Sequence, residues 1–374
     1  MQETAPSNDK ISSKIMVLPV VIGVPVAAVV LCAIGVPVGL YVIKPDLLVK
    51  LFMRYGMRSA GLKIKTIEGN DITFCYAERG IPNPDVPSLL FIHGFTASKD
   101  MWSTIIKKMP QNLHTIVVDL PGHGDTLTKV DEDMTFKGQV KRVHEFAELI
   151  GLTNGKYHVI GQSMGGAISG LYAATYPEEV GLVTMICPAM ETPEMSDFTH
   201  HIASTGNVVL LPETVEDIAE MMTFIMHKPI KVPKQILKGA LGLRQPKMDY
   251  YRKLFLALVE DRGALNESMG SITVPSQVIW GKHDKLIHVS GAEVLHKGLP
   301  SCHRLDLIPE CGHSTNMERP GMVTKLLLKF RELEKNYDPI DIDNNANGST
   351  VLNETSAEKV PILEAWLAEK KASL

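Results

Sequence analysis

From Ile15 to Ile43 the chain has no charged position across 29 consecutive residues, more than the roughly 20 apolar residues that cross a bilayer. As a helix this run would be about 43 Å long at 1.5 Å per residue, which requires tilt or a part lying in the interface. Pro19, Pro25 and Pro37 predict a kinked or partly broken helix. A cleaved signal peptide would have a shorter apolar run and a small-residue cleavage site, and neither is present. Immediately after it, Leu47, Leu48, Leu51, Phe52 and Tyr55 recur among Lys44, Lys50, Arg54 and Arg58 at helix-like spacing, so residues 44–60 form a basic amphipathic connector that can rest on an anionic leaflet. The pattern then shortens. LKIKTIE and DITFCYAE flank Gly69-Asn70 as a hairpin. SLLFI, HTIVVD, YHVI, LVTMI, SQVIW and HRLDLI are short apolar runs suited to buried strands, separated by helical patterns near 101–109, 136–150 and after Ser163. Such alternation predicts an α/β fold, a mostly parallel sheet flanked by helices, with the hairpin as an antiparallel edge.

Residues 190–275 interrupt the alternation with no convincing strand. Helical patterns near 213–226, 229–242 and 250–261 predict a helical cap above the C-terminal edge of the sheet, where ligand sites of α/β folds form. Its methionines, among them Met190, Met195, Met221, Met222, Met226, Met248 and Met269, suit a lipid-lining lid and an ordinary helical core equally well. Past 335 the chain turns polar and acidic, predicting a disordered tail over 336–374. The expected organisation is a tail at 1–14, a transmembrane anchor at 15–43, the connector at 44–60, the α/β body at 61–335 and the tail.

Composition removes several classes of function. A net charge of −4 over 374 residues, with scattered Lys and Arg, makes nucleic acid a poor partner. Five dispersed cysteines build neither a disulfide framework nor a zinc site, and no motif calls for a metal or cofactor. Lys44, Lys50, Arg54, Arg58 and Lys63 follow the apolar run while only Lys10 and Lys14 precede it. The positive-inside rule then predicts a single-pass membrane protein with the body facing the cytosol. The membrane bilayer is one expected partner; no protein partner can be read from the sequence.

The candidate chemistry centres on GQSMGG, residues 161–166. A short apolar strand precedes it and an Ala-rich helix follows. In this strand-turn-helix setting Ser163 is placed as an exposed nucleophile, with Gly161 and Gly165 allowing the strand and helix to approach. The plain alternative is that Ser163 only caps the helix. A serine needs a positioned base. His313, late in the chain after HRLDLI, suits the order nucleophile, acid, histidine, whereas His200, His201, His227 and His296 lie in helical or loop contexts. Asp284, following SQVIW, is the favoured acid, with Glu191, Glu194 and Asp197 as rivals. The amides of Met164 and of Phe95, in the loop after the third strand, are the expected oxyanion donors.

Taken together, HGFTASKDMW, DLPGHGDT, GQVKRVHEF, GQSMGG, YRKLF, IWGKHD and CGHSTNMERP resemble the membrane-anchored α/β-hydrolases, most closely those that are monoacylglycerol lipases. The resemblance runs from about Pro45 to Arg331. It implies the α/β-hydrolase fold with a helical cap and an N-terminal transmembrane helix, and Ser163, Asp284 and His313 as a triad with Phe95 and Met164 as oxyanion donors. The implied activity is hydrolysis of monoacylglycerols, lysophospholipids and related lipids, with lipid as the substrate partner. Epoxide hydrolases and dehalogenases of this fold carry Asp at the elbow, unlike Ser163. Acyltransferase relatives carry His-x4-Asp where this chain has His313 and Glu318. The readings kept beside monoacylglycerol hydrolysis are a lysophospholipase or acyl-thioesterase of the same fold and a catalytically silent, membrane-protein-associated scaffold.

Overall fold

A computed structural model describes residues 36–128 and 131–333. Helices α1 (Val36–Ile43) and α2 (Pro45–Ser59) lead into the hairpin β1 (Lys63–Glu68) and β2 (Ile72–Arg79). Next come β3 (Leu89–Ile92), β4 (Thr115–Val118), the two-residue β5 (Leu127–Thr128), α3 (Phe136–Leu149), β6 (Tyr157–Gln162), α4 (Met164–Thr175) and β7 (Val180–Ile186). The insertion carries α5 (Asp197–Thr205), α6 (Val215–Ile225), α7 (Lys234–Arg244) and α8 (Met248–Glu260). The chain then closes through β8 (Ser276–Gly281), α9 (Ser290–Gly298), β9 (Cys302–Ile308) and α10 (Pro320–Leu333).

The strands form one sheet in the order β1-β2-β4-β3-β6-β7-β8-β9, with β5 pairing on β2. The β1–β2 and β2–β4 pairs are antiparallel and every pair from β4 to β9 is parallel. Strands β3, β4, β6 and β8 are buried at every position, as a sheet covered on both faces requires. The edge strand β1 is mostly exposed, and its lysines, Lys63 and Lys65, discourage pairing with another chain. After β3 the chain moves to β4 on one side and then to β6 on the other. The crevice at this reversal, at the carboxyl ends of β3 and β6, is where α/β sheets bind ligands.

The helix expected near 101–109 is instead a 3-10 turn, Lys99–Trp102, followed by the single-turn helix Ser103–Ile106. Asp119 draws the start of this segment inward by accepting from both the Lys99 amide at 2.7 Å and the Lys99 ammonium at 2.6 Å. In the insertion, α5 was not foreseen because only Ile202 on it is buried; Ser196 caps it by accepting from the Thr199 amide at 3.1 Å. Met190, Met221, Met222, Met226 and Met248 are buried, so they serve mainly as packing within and beneath the insertion.

Helix α2 is a strut across the boundary between body and cap. Met57 near its C-terminal end is fully buried, and Gly56 faces Ser103. Near its N-terminal end, α7 offers Gly239, where a Cβ would lie 2.4 Å from the Pro45 carbonyl oxygen and 2.7 Å from Val49. Between these contacts Lys50 pairs with Asp125 at 2.7 Å. The proposed span at 15–43 lies largely outside the described residues, as does the tail at 336–374. Among the described residues no helix is long and apolar enough to cross a membrane.

Candidate active site

The turn from β6 to α4 is made by Ser163 itself, at φ 60° and ψ −124°. A non-glycine residue there carries strain on the order of 1–3 kcal/mol, sustained only where its surroundings over-determine the backbone. They do so here. A Cβ on Gly161 would lie 1.9 Å from the Gly165 oxygen, and one on Gly165 would lie 2.3 Å from the Ile92 oxygen. The Ser163 amide donates to Ile186 at 2.9 Å, and its carbonyl accepts from Gly166, Ala167 and Ala189. The side chain makes no capping hydrogen bond to α4, so its hydroxyl is not occupied as a helix cap. The backbone is strained to present that hydroxyl, the geometry of a nucleophile elbow.

Asp284 follows β8 and His313 follows β9. His313 Nδ1 lies 2.7 Å from Asp284 Oδ2, and Asp284 Oδ1 accepts from the Leu286 and Ile287 amides at 2.9 and 3.0 Å. With Asp284 Oδ1 taken by two amides, Nδ1 is placed to donate to Oδ2, which leaves Nε2 free to accept a proton. Trp280 closes the Asp284 loop by donating to the Ile287 carbonyl at 3.2 Å. The Gln162 side chain, next to Ser163, donates to the His313 carbonyl at 2.7 Å. Ser163 Oγ and His313 Nε2 form no hydrogen bond here; such contacts commonly tighten when substrate binds. Glu191 pairs with Arg262 at 3.0 Å, Glu194 approaches His288 at 3.8 Å, and Asp197 occupies the first turn of α5. His201 approaches Glu220 at 3.9 Å, His227 stacks on His283 with ring centres 4.0 Å apart, His296 contacts Cys302, and His200 is exposed on α5.

Among the hydrogen bonds of the described residues, neither the Phe95 nor the Met164 amide has an acceptor. Both belong to segments touching Ser163: a Cβ on Gly94 would lie 3.1 Å from the Ser163 Cβ. Two neutral histidines hold the Phe95 loop. His93 donates through Nδ1 to the Gly94 carbonyl at 2.8 Å and accepts at Nε2 from Leu120 at 3.0 Å. His123 donates through Nδ1 to Pro121 at 2.9 Å and accepts at Nε2 from the Thr96 amide at 3.3 Å. Burial depresses His93 to about 4 and His123 well below the usual imidazole range. HGF and PGHG stand apart in the sequence, and neither motif by itself shows that their histidines clasp one loop.

Two further residues have contacts that no sequence motif shows. Glu318 accepts from the Gly312 amide at 2.7 Å and from the His227 and Lys228 amides at 3.1 Å, joining the His313 loop to the end of the α6 segment. Cys187, directly after β7 at φ 41°, is fully buried beside Asp284 and His313, with one ligand atom from each of the three within 4.8 Å of the others. Burial, then the charge of Asp284, pushes its thiol well above the usual range. This trio has the proximity of a metal site, but the Asp284 and His313 atoms already bond to one another.

A sequence profile of the alpha/beta hydrolase fold matches residues 87–207. Human monoacylglycerol lipase ABHD6 is 38% identical over 307 residues, covering 80% of this chain and 90% of the relative. Monoacylglycerol lipase abhd6-B of Xenopus laevis is 39% identical over 299 residues, 78% of this chain and 88% of the relative. Among solved structures, a membrane phospholipase A described as a bacterial virulence factor superposes with a TM-score of 0.72 at 26% identity, covering 86% of this chain and 99% of that one. The elbow, the acid–histidine pair after β8 and β9, and this extent of identity lead to one assignment: the chain belongs to the α/β-hydrolase family, in the branch of the monoacylglycerol lipases ABHD6.

Proposed function

We propose that the protein is a membrane-anchored serine hydrolase that cleaves the ester bond of monoacylglycerols, and of lysophospholipids or related single-chain lipids, through an acyl-enzyme. The observation that carries this reading is the left-handed Ser163 with an uncapped hydroxyl, beside two amides without acceptors and close to a bonded Asp284–His313 pair. Ser163 Oγ attacks the ester carbonyl carbon while His313 Nε2 takes its proton. Charge developing on the carbonyl oxygen is met by the Phe95 and Met164 amides. Collapse expels the glycerol oxygen, which receives the proton from His313. A water deprotonated by His313 then attacks the acyl-Ser163 carbonyl and releases the fatty acid. Asp284 holds the ring and stabilises the imidazolium at both steps.

An apolar acyl region is supported by the packing around Phe95. Its ring lies 5.9 Å from Tyr251 and 5.7 Å from Phe255 of α8, where it joins a cluster with Ile202, Val208 and Phe198. A lysophospholipid reading is favoured by the likeness to the membrane phospholipase A. The uncharged run at 15–43 supports a single membrane span, and its flanking charges support a body facing the cytosol. The test is purified protein against a panel of monoacylglycerols, lysophospholipids, triacylglycerols and acyl thioesters, with fluorophosphonate labelling of Ser163. Equal rates on triacylglycerol would remove the single-chain preference, and an unlabelled Ser163 would leave the scaffold reading.

A further inference from the structure

The outer side of α2 has apolar side chains that the fold does not cover. Phe52 is 75% exposed, Tyr55 70% and Leu51 44%, and Leu47 lies four residues before Leu51 on the same face. The opposite side, with Met57 and Val49, faces the body and α7, so the exposed side is the one left over after the helix has docked. Upstream, Val42 and Ile43 at the end of α1 are exposed as well, and the chain before them is the uncharged run that begins at Ile15.

Charge identifies what covers this face. Lys44 and Arg58 stand at the two ends of α2, and Lys231 and Lys238 are exposed on the cap segment packed against it; none of the four forms an ion pair among the described residues. The only acid of α2 is Asp46, directed at Gly242 on the inner side. A second copy docking through the same face would bring cations onto cations. An anionic lipid surface meets both requirements, with headgroups for the cations and the acyl boundary for Phe52, Tyr55 and Leu51.

We propose that the outer face of α2, with Lys231 and Lys238 beside it, is a docking surface for the anionic headgroup layer of a bilayer, a membrane contact separate from the apolar run upstream. Because α2 is bolted to α7 at one end and to the body at the other, this contact sets how the cap lies on the leaflet. The orientation matters to lipid substrates and not to soluble ones, and it stands apart from whether Ser163 is a nucleophile.

The experiment uses the full chain in vesicles containing phosphatidylserine. Phe52→Trp should add fluorescence that lipids brominated close to the headgroup quench, measured against the wild-type background. Phe52→Asp combined with Tyr55→Asp should lower the rate on monoacylglycerol embedded in those vesicles by about tenfold, the loss expected from removing aromatic insertion, while the rate on a soluble short-chain ester stays unchanged. An unquenched Trp at position 52 with an unaltered vesicle rate overturns the proposal. So does an equal loss on the soluble ester, which would place the effect inside the site, or a dimer in detergent that the double variant dissolves. Failure of the soluble ester rate in the wild type would instead strike the hydrolase reading.

Discussion

Asp284→Asn replaces one oxygen with an amide nitrogen, and the surrounding donors decide which side that nitrogen takes. The Leu286 and Ile287 amides point at Oδ1 from 2.9 and 3.0 Å, so they retain the oxygen of the new side chain. The NH2 group must then face His313 Nδ1, 2.7 Å away. It can only donate there, which forces Nδ1 to accept and puts the ring proton on Nε2. His313 in that tautomer cannot take the proton of Ser163. The same substitution in a serine protease triad lowers kcat on the order of 10⁴, about 5 kcal/mol of barrier. The volume and both amide contacts persist, so stability should change by less than about 1 kcal/mol. The assay is kcat on a soluble ester beside a thermal melt of the same preparation. Glu191→Gln, Glu194→Gln and Asp197→Asn serve as comparisons expected to keep kcat. An Asp284→Asn enzyme within tenfold of wild type would refute the reasoning, as would a large loss in one of the comparison variants.

Ser163→Gly should abolish turnover, with a loss of roughly 10⁶ in kcat, while raising the melting temperature, because glycine accepts φ 60° without strain; a lowered melt would contradict the strain. Gly161→Ala should lower the yield of folded protein or cost several kcal/mol, since its Cβ would lie 1.9 Å from backbone oxygen; a wild-type denaturation midpoint would show that the elbow can widen. His93 is neutral in the fold, held near 4 by burial, and protonates near 6.5 when unfolded. Its contribution is therefore complete above pH 6.5 and is lost as pH falls toward 4. Between pH 7.5 and 5.5 that loss is about 1.4 kcal/mol, and His123 and His158, also depressed by burial, act in the same direction. Urea denaturation at the two pH values checks this, and equal stability would mean these rings are charged or exposed.

The legible parts of the sequence were those written in a local code. β6 and β8 are short apolar runs ending in glycine-bearing turns, and Ser163, Asp284 and His313 each follow a strand, so chain order alone carries them to one edge of the sheet. The rest depended on partners distant in sequence. The 3-10 turn at Lys99–Trp102 follows from Asp119, twenty residues away, and α5 buries too little to show a periodic stripe. The docking of α2 on α7 rests on Gly239, whose missing side chain means nothing until Pro45 and Val49 are placed beside it. Glu318 was noticed for standing where acyltransferases carry Asp, and its three backbone partners were invisible from there.

Those three partners tie together two motions that would otherwise be independent. One carboxylate holds the Gly312 amide, next to His313, and the His227 and Lys228 amides at the edge of the cap, and the Ser314 amide adds a 2.7 Å bond to the Ile225 carbonyl. Any tilt of the α6 segment away from the sheet must break these bonds or pull on the loop bearing His313. The room available above the sheet and the readiness of the imidazole are thus one mechanical variable: a lipid too bulky for the insertion to settle over would meet a displaced base, and its size would be felt in proton transfer as well as in binding.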